Sequence, residues 1–303
     1  MVVKIFVKII CCFMFVIGLS LPAFVNTQGV FEPNSNRITS VIVPLEWDGT
    51  MKGMPIVKVK IGEKVLRLAL DTGANKVFFA ISPNALNEIN VKYSTDIKKE
   101  LDVKGNLYKS RTFEIPEVKI GELQLNNVIA TEELRDSPDD SDGIIGNRLF
   151  DYFNVLIDYS QSHMILYPNS SLPSALELSQ WTKISFKHED IGIVMQGRLG
   201  NQERILRFCL DSGAVAANEE GKPLPLGLLR SNSLAARNKG KDTKTYTDYL
   251  TVDGKNIGKM DFYFFDFTQP PVDGFLGYNF FSKYKVFIDF SKQVMYIKET
   301  LQS

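Results

Sequence analysis

From Val41 onward the chain is a succession of short apolar runs broken by Gly, Asn, Asp and Pro. Ile56-Val-Lys-Val-Lys-Ile61 alternates apolar and polar residues, and Val155-Leu-Ile-Asp-Tyr159 and Lys285-Val-Phe-Ile-Asp-Phe290 are short and β-rich. Alternation with period two predicts strands with one buried face, so the expected class is mainly β. The first 25 residues differ. Lys4 and Lys8 precede an uncharged run from Ile9 to Val25, and Asn26-Thr27-Gln28-Gly29 follows. A basic start, an apolar middle and a polar exit are the layout of a secretory signal, which predicts export to a periplasm or the exterior. The apolar run is short for a membrane span, so an uncleaved anchor is the alternative and the one route to a membrane association.

Two of the predicted strands run into the same motif. Leu66-Arg-Leu-Ala-Leu-Asp-Thr-Gly-Ala74 and Leu206-Arg-Phe-Cys-Leu-Asp-Ser-Gly-Ala214 each end in Asp-(Thr/Ser)-Gly. Glycine two residues after the acid permits a tight turn that aims the carboxylate into a cleft. A lone Asp-(Thr/Ser)-Gly is usually a turn, but these two sit in a longer repeat. Asp142-Gly-Ile-Ile-Gly146 and Asp273-Gly-Phe-Leu-Gly277 align without a gap through Phe150/Phe281, Val155/Val286, Ile157/Ile288, Asp158/Asp289, Ser160/Ser291 and Met164/Met295. A weaker echo sets Val118-Lys-Ile-Gly121 against Asn256-Ile-Gly258. The chain is therefore an internal duplication with its parts in the same order twice.

The ordered set of four motifs, from Val41 to Ile297, resembles the aspartic proteases, specifically their retropepsin-like branch fused into one chain. The resemblance implies a bilobal acid-protease fold of two β-barrel lobes with a central cleft. It implies that Asp71 and Asp211 are the catalytic pair, and that Ile144-Ile145-Gly146 and Phe275-Leu276-Gly277 thread beneath them. It also implies that the Thr72 and Ser212 hydroxyls tie the motifs together, and that Gly73 and Gly213 let backbone N–H groups approach the carboxylates. A flap over the cleft is expected near Val103-Lys-Gly-Asn-Leu-Tyr108, with Tyr108 as the candidate flap tyrosine or a surface hairpin residue. Two carboxylates about 3 Å apart hold one proton between them. The ionised acid activates a water and the protonated one polarises the peptide carbonyl. No cofactor and no metal are needed. Ala74 and Ala214 replace a hydroxyl residue of pepsin-like members, which predicts an optimum less acidic than pepsin's.

Composition narrows the alternatives. Lys+Arg and Asp+Glu are both 35 of 303 residues, which gives no electrostatic case for a nucleic-acid partner. His163 and His188 are the only histidines, which disfavours His-rich metal sites and a Ser-His-Asp triad. Cys11 and Cys12 lie in the leader, so Cys209 is left alone, with no intrachain disulfide and the apolar setting of an inert thiol. Asp142, Asp273, Asp158 and Asp289 are read as turn and cap residues.

The expected organisation is a signal over 1–25, an extended arm over 26–39, a first lobe over 40–167, a linker over 168–180 and a second lobe over 181–303. Both half-sites lie in one chain, so a monomer acting on a peptide or protein substrate is expected. One feature departs from the pattern. Val215-Ala-Ala-Asn-Glu-Glu220 follows the second motif where Asn75-Lys-Val-Phe-Phe79 follows the first. A catalytically inactive peptide-binding relative using the same cleft is the alternative that this difference leaves open.

Overall fold

The computed structural model describes residues 39–47, 53–102, 104–134, 141–169, 173–218, 220–234 and 244–300. The expected signal, nearly all of the arm, and Val103 of the expected flap lie outside them. Among the described residues no helix is long and apolar enough to cross a membrane.

The duplication folds into two closed six-stranded barrels. In the first, Ile56–Ile61, Lys64–Leu70, Gly143–Ile145, Phe79–Ile81, Leu123–Glu132 and Leu107–Ile120 follow one another round the barrel, and Val59 opposite Ile120 closes it. In the second, Gly192–Leu199, Leu206–Leu210, Gly274–Leu276, Leu226–Arg230, Lys255–Phe265 and Thr245–Val252 do the same, closed where Gly197 meets Val252. Closure removes the exposed edges that an open sheet would leave. The alternation read in Ile56–Ile61 appears directly as inward Val57, Val59 and Ile61 against outward Lys58 and Lys60.

A third sheet joins the lobes. Its order is Val41–Pro44, His163–Pro168, Phe153–Asp158, Tyr284–Asp289, Val294–Glu299, Thr182–Ser185. The two central strands are the equivalent segments of the repeat, paired antiparallel with Val286 opposite Ile157 and Ile288 opposite Val155. This pairing places the pseudo-twofold axis between the lobes, and the apolar core runs through it from one lobe to the other. Asp158 and Asp289 each cap the turn that follows: Asp158 accepts from the Ser160 hydroxyl at 2.6 Å, and Asp289 accepts from the Ser291 hydroxyl at 2.7 Å.

One alignment made from sequence does not hold in space. Gly121 lies in the turn of the hairpin between Leu107–Ile120 and Leu123–Glu132, whereas Gly258 lies inside the strand Lys255–Phe265. The structural counterpart of Gly121 is the Asp253-Gly254 turn between Thr245–Val252 and Lys255–Phe265. The short Ile-Gly echo misled because the lobe-two hairpin has a bulge at Leu250 and Thr251, beside Gly258.

Candidate active site

Each half-site is built by a strand that turns at its acid and a second strand that threads alongside. Lys64–Leu70 pairs in parallel with Gly143–Ile145, and the Asp71 N–H donates to the Ile145 carbonyl at 2.9 Å. Leu206–Leu210 pairs in parallel with Gly274–Leu276, and the Asp211 N–H donates to the Leu276 carbonyl at 2.9 Å. The entry to each threaded strand is fixed by an aspartate: Asp142 accepts from the Arg67 N–H at 2.8 Å and Asp273 from the Arg207 N–H at 2.9 Å. These two aspartates hold backbone, in line with the turn role read for them.

The two turns meet. Thr72 Oγ1 donates to the Leu210 carbonyl at 3.0 Å and accepts from the Ser212 N–H at 2.9 Å. Ser212 Oγ donates to the Leu70 carbonyl at 2.7 Å and accepts from the Thr72 N–H at 2.9 Å. Four buried hydrogen bonds therefore lock one motif to the other with near-twofold symmetry. In consequence the carboxyls of Asp71 and Asp211, both fully buried, lie within hydrogen-bonding reach of each other. A Cβ on Gly73 would sit 2.6 Å from the Asp211 carboxyl carbon, so only glycine fits between the acids.

Each acid is also held by its own turn. Asp71 Oδ1 accepts from the N–H groups of Gly73 at 2.9 Å and Ala74 at 3.1 Å, and Asp211 Oδ1 accepts from the Gly213 N–H at 2.8 Å. Burial is the largest influence on Asp211 and raises its pKa from 3.8 to about 6, against the lowering by Asp71 and by the N–H groups of Gly213, Ala214 and Gly73. A carboxyl that keeps its proton into mildly acidic solution, beside a second carboxyl, has the form of an acid–base pair. The Cys209 thiol nearby is pushed up by burial and by both aspartates, which makes it inert.

The hairpin expected over the cleft lies between Lys92–Leu101 and Leu107–Ile120. Its turn is organised by Asp102, which accepts from the N–H groups of Lys104 at 2.9 Å and Asn106 at 2.8 Å. A Cβ on Gly105 would lie 3.2 Å from Thr268 Oγ1, so the tip reaches across to the second lobe. Tyr108 stands on this hairpin, half-buried, with its hydroxyl 3.4 Å from Asp102 Oδ2. The divergent segment after the second motif forms a two-stranded ribbon, Ala216–Ala217 with Pro223–Leu224, turned by Asn218.

Three residues not singled out from sequence support the Asp71 turn. Asn147 Nδ2 donates to the Thr72 carbonyl at 3.1 Å and Asn147 Oδ1 accepts from the Lys76 N–H at 3.2 Å. Asn75 Nδ2 donates to the Glu189 carbonyl at 2.9 Å, which leaves Asn75 Oδ1 to accept from His188 Nε2 at 3.0 Å. Lys76 pairs with Asp190 beside them. His188 sits 113 residues from its partner, a separation no local pattern reports. Asn147 carried a faint signal, since it directly follows the Ile-Ile-Gly element.

Two barrels, a shared sheet and a pair of acids at the junction define the bilobal fold of the aspartic proteases. Residues 57–149 match the family model described as "Aspartyl protease". Among solved structures, the aspartic proteinase from Irpex lacteus is 13% identical and superposes with a TM-score of 0.59 over 86% of this chain and 98% of its own. Basic 7S globulin from soybean is 10% identical, with a TM-score of 0.57 over 87% of this chain and 96% of its own. Conglutin gamma, a basic 7S globulin from lupine seeds, is 11% identical, with a TM-score of 0.54 over the same shares. No curated protein sequence matches the chain. The sequence likeness thus lies in the first half, and the fold likeness spans both.

Proposed function

We propose that this chain is an aspartic endopeptidase in which Asp71 and Asp211 activate one water between them. The observation that carries this reading is the meeting of the two buried carboxyls at a junction locked by Thr72 and Ser212. With one proton on the pair, the ionised acid takes a proton from the water as it attacks the peptide carbonyl. The protonated acid donates to the carbonyl oxygen, and the tetrahedral adduct collapses with the proton delivered to the leaving nitrogen. The hairpin around Asp102 to Tyr108 covers the substrate, and a single chain suffices because both acids are in it. Residues 1–25 export the protein, and the N-terminus of the secreted form reports whether they are removed.

The test is cleavage of a mixed peptide library. Asp71→Asn and Asp211→Asn should each lower turnover by at least about 100-fold, and a statine-type inhibitor should block the parent. The ribbon Ala216–Leu224 beside the second motif favours a second reading, a peptide-binding protein without turnover. Tight binding of uncleaved peptides by the parent chain would support that reading and defeat the first.

A further inference from the structure

Trp47 and His188 occupy equivalent places in the repeat. Val41 lies opposite Leu166 and Thr182 opposite Ile297, and Leu166 and Ile297 are counterparts, so the same step along the chain brings Trp47 onto His188. Their ring N–H groups go to different lobes. Trp47 Nε1 donates at 3.0 Å to Ser162 Oγ, in its own lobe. His188 Nε2 reaches across to Asn75 Oδ1 at 3.0 Å, beside the turn that carries Asp71. Asn75 follows Ala74, whose N–H donates to Asp71 Oδ1 at 3.1 Å. The residue in its place after the second motif is Val215, which packs with Met54 and Ile56. A hydrogen-bonded strut therefore stands behind one acid and apolar packing behind the other.

The strut has a fixed direction. Asn75 is 1% exposed and its Nδ2 donates to the Glu189 carbonyl at 2.9 Å, so Oδ1 faces His188 and the imidazole must be the donor. His188 is itself held from behind. Its backbone N–H donates to Gln293 Oε1 at 3.0 Å, and its ring meets Phe290 edge-on at 5.4 Å between centroids. Phe290 and Gln293 follow the central strand Tyr284–Asp289 of the shared sheet, so contacts run without a break from that sheet through His188 and Asn75 to the Asp71 turn. Charging the ring does not cut this chain. Burial, helped by Lys76 and opposed by Asp151 and Asp190, holds the imidazole below its ordinary pKa of 6.5. A second proton goes to Nδ1 and leaves the Nε2–H donor in place.

We propose that His188 of the second lobe is a positioning residue for Asp71 of the first: through Asn75 it sets the turn whose N–H groups hold the Asp71 carboxyl. The inference rests on the endopeptidase reading of the acid pair. The first half-site is then complete only when the second lobe is docked behind it. Small errors in the placing of a reacting group are costly to the chemical step, so loss of the strut should appear in kcat and not in KM.

Two substitutions separate the hydrogen bond from the ring. His188→Phe keeps an aromatic contact with Phe290 and removes the donor, whereas His188→Gln removes the ring and keeps an N–H within reach of Asn75. Neither new side chain titrates. In the full-length protein His188→Phe should lower kcat about 10-fold with KM within about 2-fold of the parent, and His188→Gln should recover most of the loss. The acid limb of the kcat/KM profile should move to higher pH in His188→Phe, because an Asp71 anion with looser donors takes up its proton more readily, and should stay in place in His188→Gln. Where His188→Phe folds poorly, His188→Leu removes the same donor. Equal losses in the Phe and Gln variants, or a change in KM alone, would overturn the positioning role. A parent chain that cleaves nothing defeats the endopeptidase reading separately, and melting between about pH 3 and pH 7 then decides the role of His188. A pH dependence displaced in His188→Phe but not in His188→Gln supports it, and coincident curves overturn it.

Discussion

The two lobes were built from one plan, and they agree where backbone must be satisfied and differ where side chains face the cleft or the floor behind it. Both thread a strand beside an acid, both fix that strand with an aspartate on an arginine N–H, and both cap the following turn with Asp-x-Ser. The first lobe alone, among the described residues, sends a long hairpin to its neighbour, and it alone is braced by Asn75, Asn147 and His188. The second lobe has instead the Ala216–Leu224 ribbon and the packing of Val215 with Met54 and Ile56. Duplicated backbone tolerates little change because each strand is an obligatory partner of the next. Duplicated side chains are free to diverge once only one copy is needed for a task.

The largest effects should come from the shared backbone. A Cβ on Gly277 would overlap the Ala214 carbonyl oxygen, and one on Gly146 would lie 2.5 Å from the Val77 carbonyl oxygen. Neither obstacle is a movable side chain. Gly277→Ala should cost roughly 3 kcal/mol or more in urea unfolding and Gly146→Ala roughly 2 kcal/mol. If either is neutral, the two threaded strands are not under equal constraint.

Next come the locking hydroxyls. Thr72→Val and Ser212→Ala each leave a buried carbonyl and a buried N–H without partners, at roughly 2 kcal/mol apiece. Matched losses in a denaturant titration would confirm a symmetric lock. A loss confined to one side would show that a single motif holds the junction.

Protonation sharpens the comparison at the acids themselves. In the fold Asp211 keeps its proton to about pH 6, whereas an unfolded aspartate releases it near 3.8. Between those values the unfolded state binds fewer protons, so this group's contribution is whole below pH 3.8 and stability declines as pH rises through about 6. Asp211→Asn should therefore gain on the parent protein between pH 4 and pH 7, by something on the order of 2 kcal/mol. Thermal melts across that range measure it. A flat difference would remove the buried-acid assignment, and the same slope in Asp71→Asn would mean that the proton belongs to the pair. Peptide hydrolysis should fall as pH rises through the same region.

The smallest effect concerns the two turns at the cleft. Asp102 and Asn218 each gather two backbone N–H groups. Asp102→Ala should lower kcat/KM about 5-fold with little change in melting, if the hairpin it organises covers substrate as proposed. Asn218→Ala should leave kcat/KM near that of the parent. The reverse result would transfer the covering role to the ribbon.

The chain's own order of residues was enough to reveal the duplication, the mainly β class, both acids and both threaded strands, because each is a contiguous string whose spacing survives intact. Alternation over residues 57–61 predicts the inward and outward residues one by one, since a strand's side-chain period is fixed by the backbone. Tertiary structure decided what depends on contacts between distant segments. It paired His188 with Asn75, moved the counterpart of Gly121 to Asp253-Gly254, and set Trp47 against Tyr159. It also gave Asp211 its raised pKa, because burial is a property of the assembled junction and of no single segment.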